Sequence, residues 1–332
     1  MKKILVTGGC GFIGSHLVER LLKEGHRVTV IDNLCTGKTD NLKAVLTHPC
    51  LELINVDICD RGKISPYFRD KEWVFHLAAL ADIVPSIEKP ENYFSANVQG
   101  TFNVIEACRK AGIKKFIYTA SSSCYGLTQE YPTSENARIQ PEYPYALTKM
   151  LGEQIALHWG HVYGLEVISL RLFNVYGPRA RSTGQYGAVF GVFLAQKLAK
   201  KPLTVVGDGS QKRDFVYVCD VVEAFLLAAK SNYKNEIFNV GYGDPKSIHQ
   251  LTQLLDHPVT YIPKRPGEPE CTWADISKIK KYLNWQPKVT FEEGVSELLK
   301  QIELWRQAPV WTPLAIERET QTWFKYLNKD KT

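Results

Sequence analysis

Tyr145-Ala146-Leu147-Thr148-Lys149 sets a phenol and an ammonium four residues apart, which on a helix places both on one face. A free tyrosine titrates near ~10 and is a poor base at neutral pH. A neighbouring lysine cation favours the phenolate and lowers that value. Ser121-Ser122-Ser123 adds a hydroxyl at the end of a short apolar run. Ser121, Tyr145 and Lys149 can thus act as orienting hydroxyl, general base and electrostatic modulator of one proton transfer. Tyr-x-x-x-Lys alone arises by chance on many helices, so its meaning depends on what surrounds it.

The surrounding elements supply a redox partner. Gly8-x-x-Gly11-x-x-Gly14 lies between an expected strand over 3–7 and an expected helix over 12–24. Glycines there let backbone approach a pyrophosphate, and the helix amino terminus offers N–H groups and partial positive charge. Asp32 follows an expected strand over 27–31, about 20 residues on, where a carboxylate takes ribose hydroxyls. It repels a 2′-phosphate, so NAD is expected over NADP. Asp57 closes a third strand, 51–56, and reads equally as an adenine contact or a turn cap. His76, in a fourth strand over 73–77, reads as a packed strand-end residue.

Further strands are expected over 115–119 and 166–170, with helices over 92–111 and 146–163. Nearly unbroken apolar strands alternating with helices predict an α/β fold with a doubly wound parallel sheet, its ligand crevice at the carboxyl ends of the strands. Past Arg171 the rhythm breaks at Gly177-Pro178-Arg179, and the polar segment 183–186 reads as a loop over a site. The expected division is an NAD-binding Rossmann-type domain over 1–176, with 214–230 (helix 220–229) packing back on it. A smaller C-terminal α/β substrate lobe follows over 177–305, then a helical extension over 306–332. In that extension Thr312-Pro313 reads as a helix cap, with Trp311 and Trp323 packed rather than functional.

The 332 residues, 44% hydrophobic and 23% charged, can bury a sizeable core. A net charge of +6 suits a small anionic substrate and is too weak to argue for nucleic acid. Eight cysteines without Cys-x-x-Cys spacing read as reduced thiols of a cytoplasmic protein, with no metal site. No apolar run reaches membrane-spanning length, and Met1-Lys2-Lys3 is followed by too short an apolar stretch for a signal peptide.

With these motifs the chain resembles the extended short-chain dehydrogenase/reductases, specifically the nucleotide-sugar epimerase/dehydratase group. The residues that carry the resemblance are Thr7-Gly8-Gly9-Cys10-Gly11-Phe12-Ile13-Gly14, Asp32-Asn33-Leu34, Asp57-Ile58, His76-Leu77-Ala78-Ala79 and Asn97-Val98-Gln99-Gly100-Thr101. They continue through Ala120-Ser121-Ser122-Ser123-Cys124-Tyr125-Gly126, Tyr145 and Lys149, and Arg171-Leu172-Phe173-Asn174-Val175-Tyr176-Gly177-Pro178. Gly207-Asp208-Gly209, Arg213-Asp214-Phe215 and Arg265-Pro266-Gly267-Glu268 extend it to about Trp305.

The resemblance implies that Phe12, Ile13, Asp32, Asn33, Asp57, Ile58, Leu77, Ala78, Ala79, Asn97, Tyr145, Lys149 and Phe173 line a tightly held NAD. It implies that Ser121 and Asn174 meet the sugar diphosphate and that Ala188, Val189, Phe190, Thr204 and Val206 frame the nucleotide base. Arg213 and Arg265 would hold the diphosphate beside Glu268, as guanidinium forks suit phosphate oxygens. Small Thr272 would leave room for an N-acetyl group. Sugar 4,6-dehydratases of the group carry an Asp-Glu pair where this chain has Ser122-Ser123. The pattern therefore reads as a 4-epimerase of a UDP-hexose or UDP-N-acetylhexosamine. Alternatives are a UDP-glucuronate 4-epimerase, another nucleotide-sugar redox enzyme (dehydratase, 4-reductase, 4-dehydrogenase) or a noncatalytic NAD-binding regulator. The resemblance also implies a homodimer through helices 92–111 and 146–163.

Overall fold

The computed structural model describes residues 1–180 and 188–328; the expected loop over 183–186 lies outside them. The chain begins β1 (Lys3–Thr7), α1 (Phe12–Lys23), β2 (Arg27–Asp32) and β3 (Leu51–Asn55). Short helix α2 (Arg61–Ile64), β4 (Trp73–His76), α3 (Ile83–Glu88) and α4 (Pro90–Phe94) follow, then α5 (Gly100–Ala111), β5 (Lys115–Ser121), α6 (Pro144–Tyr163) and β6 (Glu166–Leu172). Six strands and the glycine turn thus fall where hydrophobic patterning predicts them.

The expected helix 92–111 is not one uniform α-helix. Between α4 and α5 the segment Ser95–Gln99 winds as a π-helix, a form that recurs at functional sites. There the side chain of Asn97 accepts the Leu80 N–H at 2.8 Å. It also donates to Leu80 O and Thr148 Oγ1, both at 3.0 Å.

Seven parallel strands, with β11 (Glu236–Val240) at one edge, form the main sheet in the order β11-β6-β5-β4-β1-β2-β3. That edge strand comes from a stretch expected in the second lobe and pairs with β6, Phe238 beside Leu170. The helix before it, α8 (Val218–Lys230), packs on α1 and buries Val221, Phe225 and Ala229 in the sheet's core. The return therefore continues past 230. Strand order reverses between β1 and β4, and the crevice outside such a switch point is where α/β sheets bind ligands.

The second lobe contains three two-stranded pairs. β7 (Asn174–Tyr176) lies parallel to β10 (Phe215–Tyr217), β8 (Leu203–Val206) parallel to β13 (Val259–Ile262), and β9 (Lys212–Arg213) antiparallel to β12 (Lys246–Ser247). Helices α7 (Val189–Leu198), α9 (Ile248–Leu255), α10 (Ser277–Leu283) and α11 (Phe291–Lys300) complete the set before the tail. The lobe's core is aromatic: Tyr176 stacks on Phe190 at 4.7 Å and Phe215 on Phe291 at 5.3 Å. Each such ring, fully buried, stabilises the fold by roughly 1.5–3 kcal/mol.

Asp214 joins the two lobes. Its buried carboxylate accepts N–H groups from Tyr242, just past β11, and from Gly243 and Ala274. The tail ends in α12 (Pro313–Leu327), capped by Thr312 Oγ1 accepting the Ala315 N–H at 3.2 Å with Pro313 in the first turn. No helix among the described residues is long and apolar enough to cross a membrane.

Candidate active site

A cavity of about 780 Å³ opens at the switch point. Gly8, Gly11, Phe12, Ile13, Gly14, Asp32, Asn33, Asp57, Ile58, Leu77, Ala78 and Ala79, twelve of the residues expected on the cofactor, line it. Gly8 adopts φ +72°, and a Cβ there would lie 2.6 Å from Ala78 N; one at Gly14 would lie 2.2 Å from Gly8 O. Only glycine permits this tight turn. Gly11 caps α1 with no side-chain bond, and its first turn carries no acid, so its leading N–H groups suit an anion. Asp32 Oδ2 accepts the Cys10 N–H and Oδ1 the Leu34 N–H, both at 2.9 Å. Burial raises its pKa, and these two bonds oppose the rise. Asn33 Nδ2 donates to Asp57 Oδ2 at 2.7 Å, tying the ends of β2 and β3 at the cavity edge. The turn, the open helix end and the carboxylate fit NAD.

His76 is a packed residue. Its ring joins Thr7 Oγ1 at 2.7 Å and Thr101 Oγ1 at 3.0 Å, and burial pushes its pKa down to about 3. Asn97 lies behind the wall it was expected to line, since its amide is engaged by Leu80 and Thr148. Leu80 itself lines the cavity, so Asn97 shapes the wall through it.

Pro144 opens α6, so Tyr145 sits in its first turn and Lys149 one turn later. Lys149 is buried, its Nζ 4.4 Å from the centre of the Tyr118 ring, and Tyr118 Oη donates to Lys149 O at 3.0 Å. Burial pushes the ammonium down to about 7, against the opposing charge of Glu153. Glu153 in turn is forked to Arg171 at 2.6 Å.

The Tyr145 phenol departs from expectation. Burial raises its pKa, its hydrogen bond with Ser121 lowers it, and the nearby charge of Asp82 raises it again. Lys149 is not among these causes. Ser121 Oγ meets Ser123 Oγ at 2.8 Å and accepts the Ser123 N–H at 3.2 Å. Ser121, Ser123 and Tyr145 thus form one hydrogen-bonded set.

In the substrate half, Arg213 Nη2 donates to Glu268 Oε1 at 2.8 Å and Arg265 Nη1 lies 3.9 Å from Glu268 Oε2. The two expected phosphate-binding arginines therefore flank one carboxylate. Thr272 Oγ1 donates to Asn174 Oδ1 at 2.8 Å, which joins β7 to the segment after Arg265. Ala188 lines the large cavity, and Val206 a small one beside Arg213 and Glu268. Val189 lies partly buried against the second lobe's core, and Phe173 is buried in the sheet's core. Phe190 and Thr204 do not reach a ligand space. Phe190 stacks in the aromatic core, and Thr204 is buried with its N–H and hydroxyl both on the Gln196 amide.

Sequence reasoning missed several wall residues, among them Asp82, Cys35, Cys59, Pro309 and Trp311. Asp82 lies three residues past a family motif and could have been found by asking what the loop after β4 faces. Trp311 gave no signal beyond being one of several tail tryptophans. Among the described residues no group of three or more His, Cys, Asp or Glu could hold a metal ion.

Comparison with known proteins bears on this geometry. The model of the NAD dependent epimerase/dehydratase family matches residues 4–241. A putative UDP-glucose 4-epimerase of Methanocaldococcus jannaschii is 38% identical over 306 residues, 89% of this chain and 97% of that protein. The solved UDP-N-acetylglucosamine 4-epimerase of Methanobrevibacter ruminantium, in complex with UDP-N-acetylmuramic acid, superposes with TM-score 0.85 at 36% identity over 90% of this chain and 99% of its own. The UDP-glucuronic acid 4-epimerase of Bacillus cereus, solved with UDP-glucuronic acid and NAD, gives TM-score 0.85 at 34% identity over 91% and 99%.

Proposed function

The chain belongs to the NAD-dependent epimerase/dehydratase family, and from that premise we propose that it inverts C4 of a UDP-hexose or UDP-N-acetylhexosamine through a transient 4-keto sugar. Bound NAD supplies the hydride acceptor and donor for C4. Tyr145 takes the 4-hydroxyl proton and later returns it, while Ser121, hydrogen-bonded to the phenol, orients that hydroxyl. Lys149, one turn on, supplies positive charge as the phenol loses its proton. Arg213 and Arg265 anchor the diphosphate, so the keto sugar can turn over without leaving. Thr272 is small and hydrogen-bonded aside to Asn174, which leaves space for a 2-acetamido group.

The observation that carries epimerisation over elimination is Ser122-Ser123 next to Ser121. Loss of the C6 hydroxyl needs an acid and a base at these positions, and serine is neither at neutral pH. The same cytoplasmic, homodimeric enzyme is expected, paired through the exposed faces of α5 and α6.

Proton NMR of purified protein with UDP-glucose, UDP-N-acetylglucosamine or UDP-glucuronate, without added NAD, tests this. The expected result is C4 inversion of a neutral sugar. Release of a 4-keto product, loss of water or loss of carbon dioxide overturns the reaction, and inversion of UDP-glucuronate alone overturns the substrate class.

A further inference from the structure

The resemblance to the family stops near Trp305, yet the chain beyond it reaches the site from two sides. Pro309 and Trp311 form part of the large cavity's wall, and Gln196 Nε2 donates to Trp311 O at 2.7 Å. After Pro313, α12 runs between the two lobes. On one side it packs against α3, where Thr322 Oγ1 donates to Glu88 Oε1 at 3.1 Å. The adjacent residue, Trp323, faces the other way and is only 7% exposed. Its Nε1–H donates to Pro266 O at 2.6 Å, and its ring lies under Arg265, with the guanidinium carbon 5.7 Å from the ring centre. Leu327, one turn on, packs beside Gly267, where a Cβ would lie 3.5 Å from Leu327 Cβ.

The stretch between β13 and Cys271 has no regular secondary structure. It nonetheless carries Arg265 and Glu268, two groups expected at the substrate site. A free arginine side chain has about 2 kcal/mol of rotamer entropy to lose on gripping a phosphate. Placing the guanidinium over a buried indole and fixing the next residue's carbonyl removes part of that loss before the ligand arrives.

We propose that α12 is part of the substrate site, with Trp323 the positioning residue that holds Arg265 ready for the diphosphate. This rests on the reading of Arg265 as a diphosphate ligand. α12 anchors the arginine to α3 and so to the lobe that binds NAD, which fixes the distance between the phosphate grip and the redox centre. Trp323 itself touches no reacting atom.

Calorimetric titration of UDP and of uridine into the full-length holoenzyme tests the proposal. Arg265→Ala should weaken UDP by more than tenfold and uridine within twofold. Trp323→Ala should weaken UDP about tenfold, again sparing uridine, and Trp323→Phe, which keeps the ring but loses the bond to Pro266, about threefold. In the Arg265→Ala background either change should add less than twofold, because the coupling runs through the arginine. In turnover, Trp323→Phe should raise KM with kcat unchanged.

Trp323 variants with unaltered UDP affinity, while Arg265→Ala is weakened, overturn the inference alone. Equal losses for UDP and uridine, or fully additive losses with Arg265→Ala, overturn it in favour of a general structural role. Unaltered UDP affinity in Arg265→Ala overturns the diphosphate reading itself. Trp323→Phe keeps the buried ring and carries the test should Trp323→Ala fail to fold.

Discussion

Around Tyr145 the chain places its chemistry with two regular elements, the end of β5 and the first two turns of α6. Around Arg265 it uses four separate stretches: β9, the turn after β13, the carboxyl end of α12 and the segment at Thr272. The first region is buried in the layers of the seven-stranded sheet and holds its groups by burial and helix geometry. In the second, side-chain forks, one carboxylate and one indole hold an irregular turn in place. Precise placement of reacting atoms is thus assigned to rigid elements. The proposed recognition of the diphosphate falls to segments that meet only when the whole chain has folded.

Two changes in the rigid region and one in the glycine turn probe this contrast. The largest effect is expected from Tyr145→Phe. With its general base removed, kcat should fall by about 10²–10⁴-fold, while UDP affinity measured by calorimetry should change less than twofold. A parallel loss of UDP binding would mean the two regions are not separable.

Second, Lys149→Met should stabilise cofactor-free protein in a pH-dependent way. The lysine titrates near 10.5 when unfolded and at about 7 when folded. Between these values the unfolded chain holds a proton that the native chain lacks, so native stability rises with pH across the window. Below pH 7 the buried charge opposes folding, on the order of a few kcal/mol. Melting curves from pH 6 to 9.5 should show the variant more stable at pH 6 and the gap closing as pH rises. A gap independent of pH would exclude the buried ammonium as its source.

Third, Gly14→Ala places a methyl 2.2 Å from Gly8 O. It should lower stability by about 1–3 kcal/mol and release NAD during purification, read from the absorbance of the isolated protein. Retention of NAD at the normal ratio would mean that the turn can yield.

The same contrast governs what the sequence discloses. Gly8 to Gly14, Asp32, Tyr145 and Lys149 are legible because strand, turn and helix follow each other within one local pattern. The bonds of the Asn97 amide to Leu80 and Thr148 are not legible, because nothing in the residue order announces the π-helix that sets them. Thr204 and Phe190 lie in family-like positions, yet pairing with Gln196 and Tyr176, fixed only by tertiary packing, draws them into the core. β11 is missed because Ile237-Phe238-Asn239-Val240 pairs with a strand about 70 residues earlier, and spacing along the chain carries no trace of that partner. Trp323 is read correctly as packed, but the sequence does not say against what.

The position of β11 at the end of the sheet bears on how the protein is made. A ribosome that has released β6 has delivered a strand buried on both faces whose outer edge still lacks its partner, and such an edge invites pairing with other chains. That edge stays open while more than sixty further residues are synthesised, including β7 and β8. Only when α8 and β11 emerge can the sheet be sealed. Fragments ending near residue 176 should therefore precipitate, and those extended past residue 243 should be the first to remain in solution.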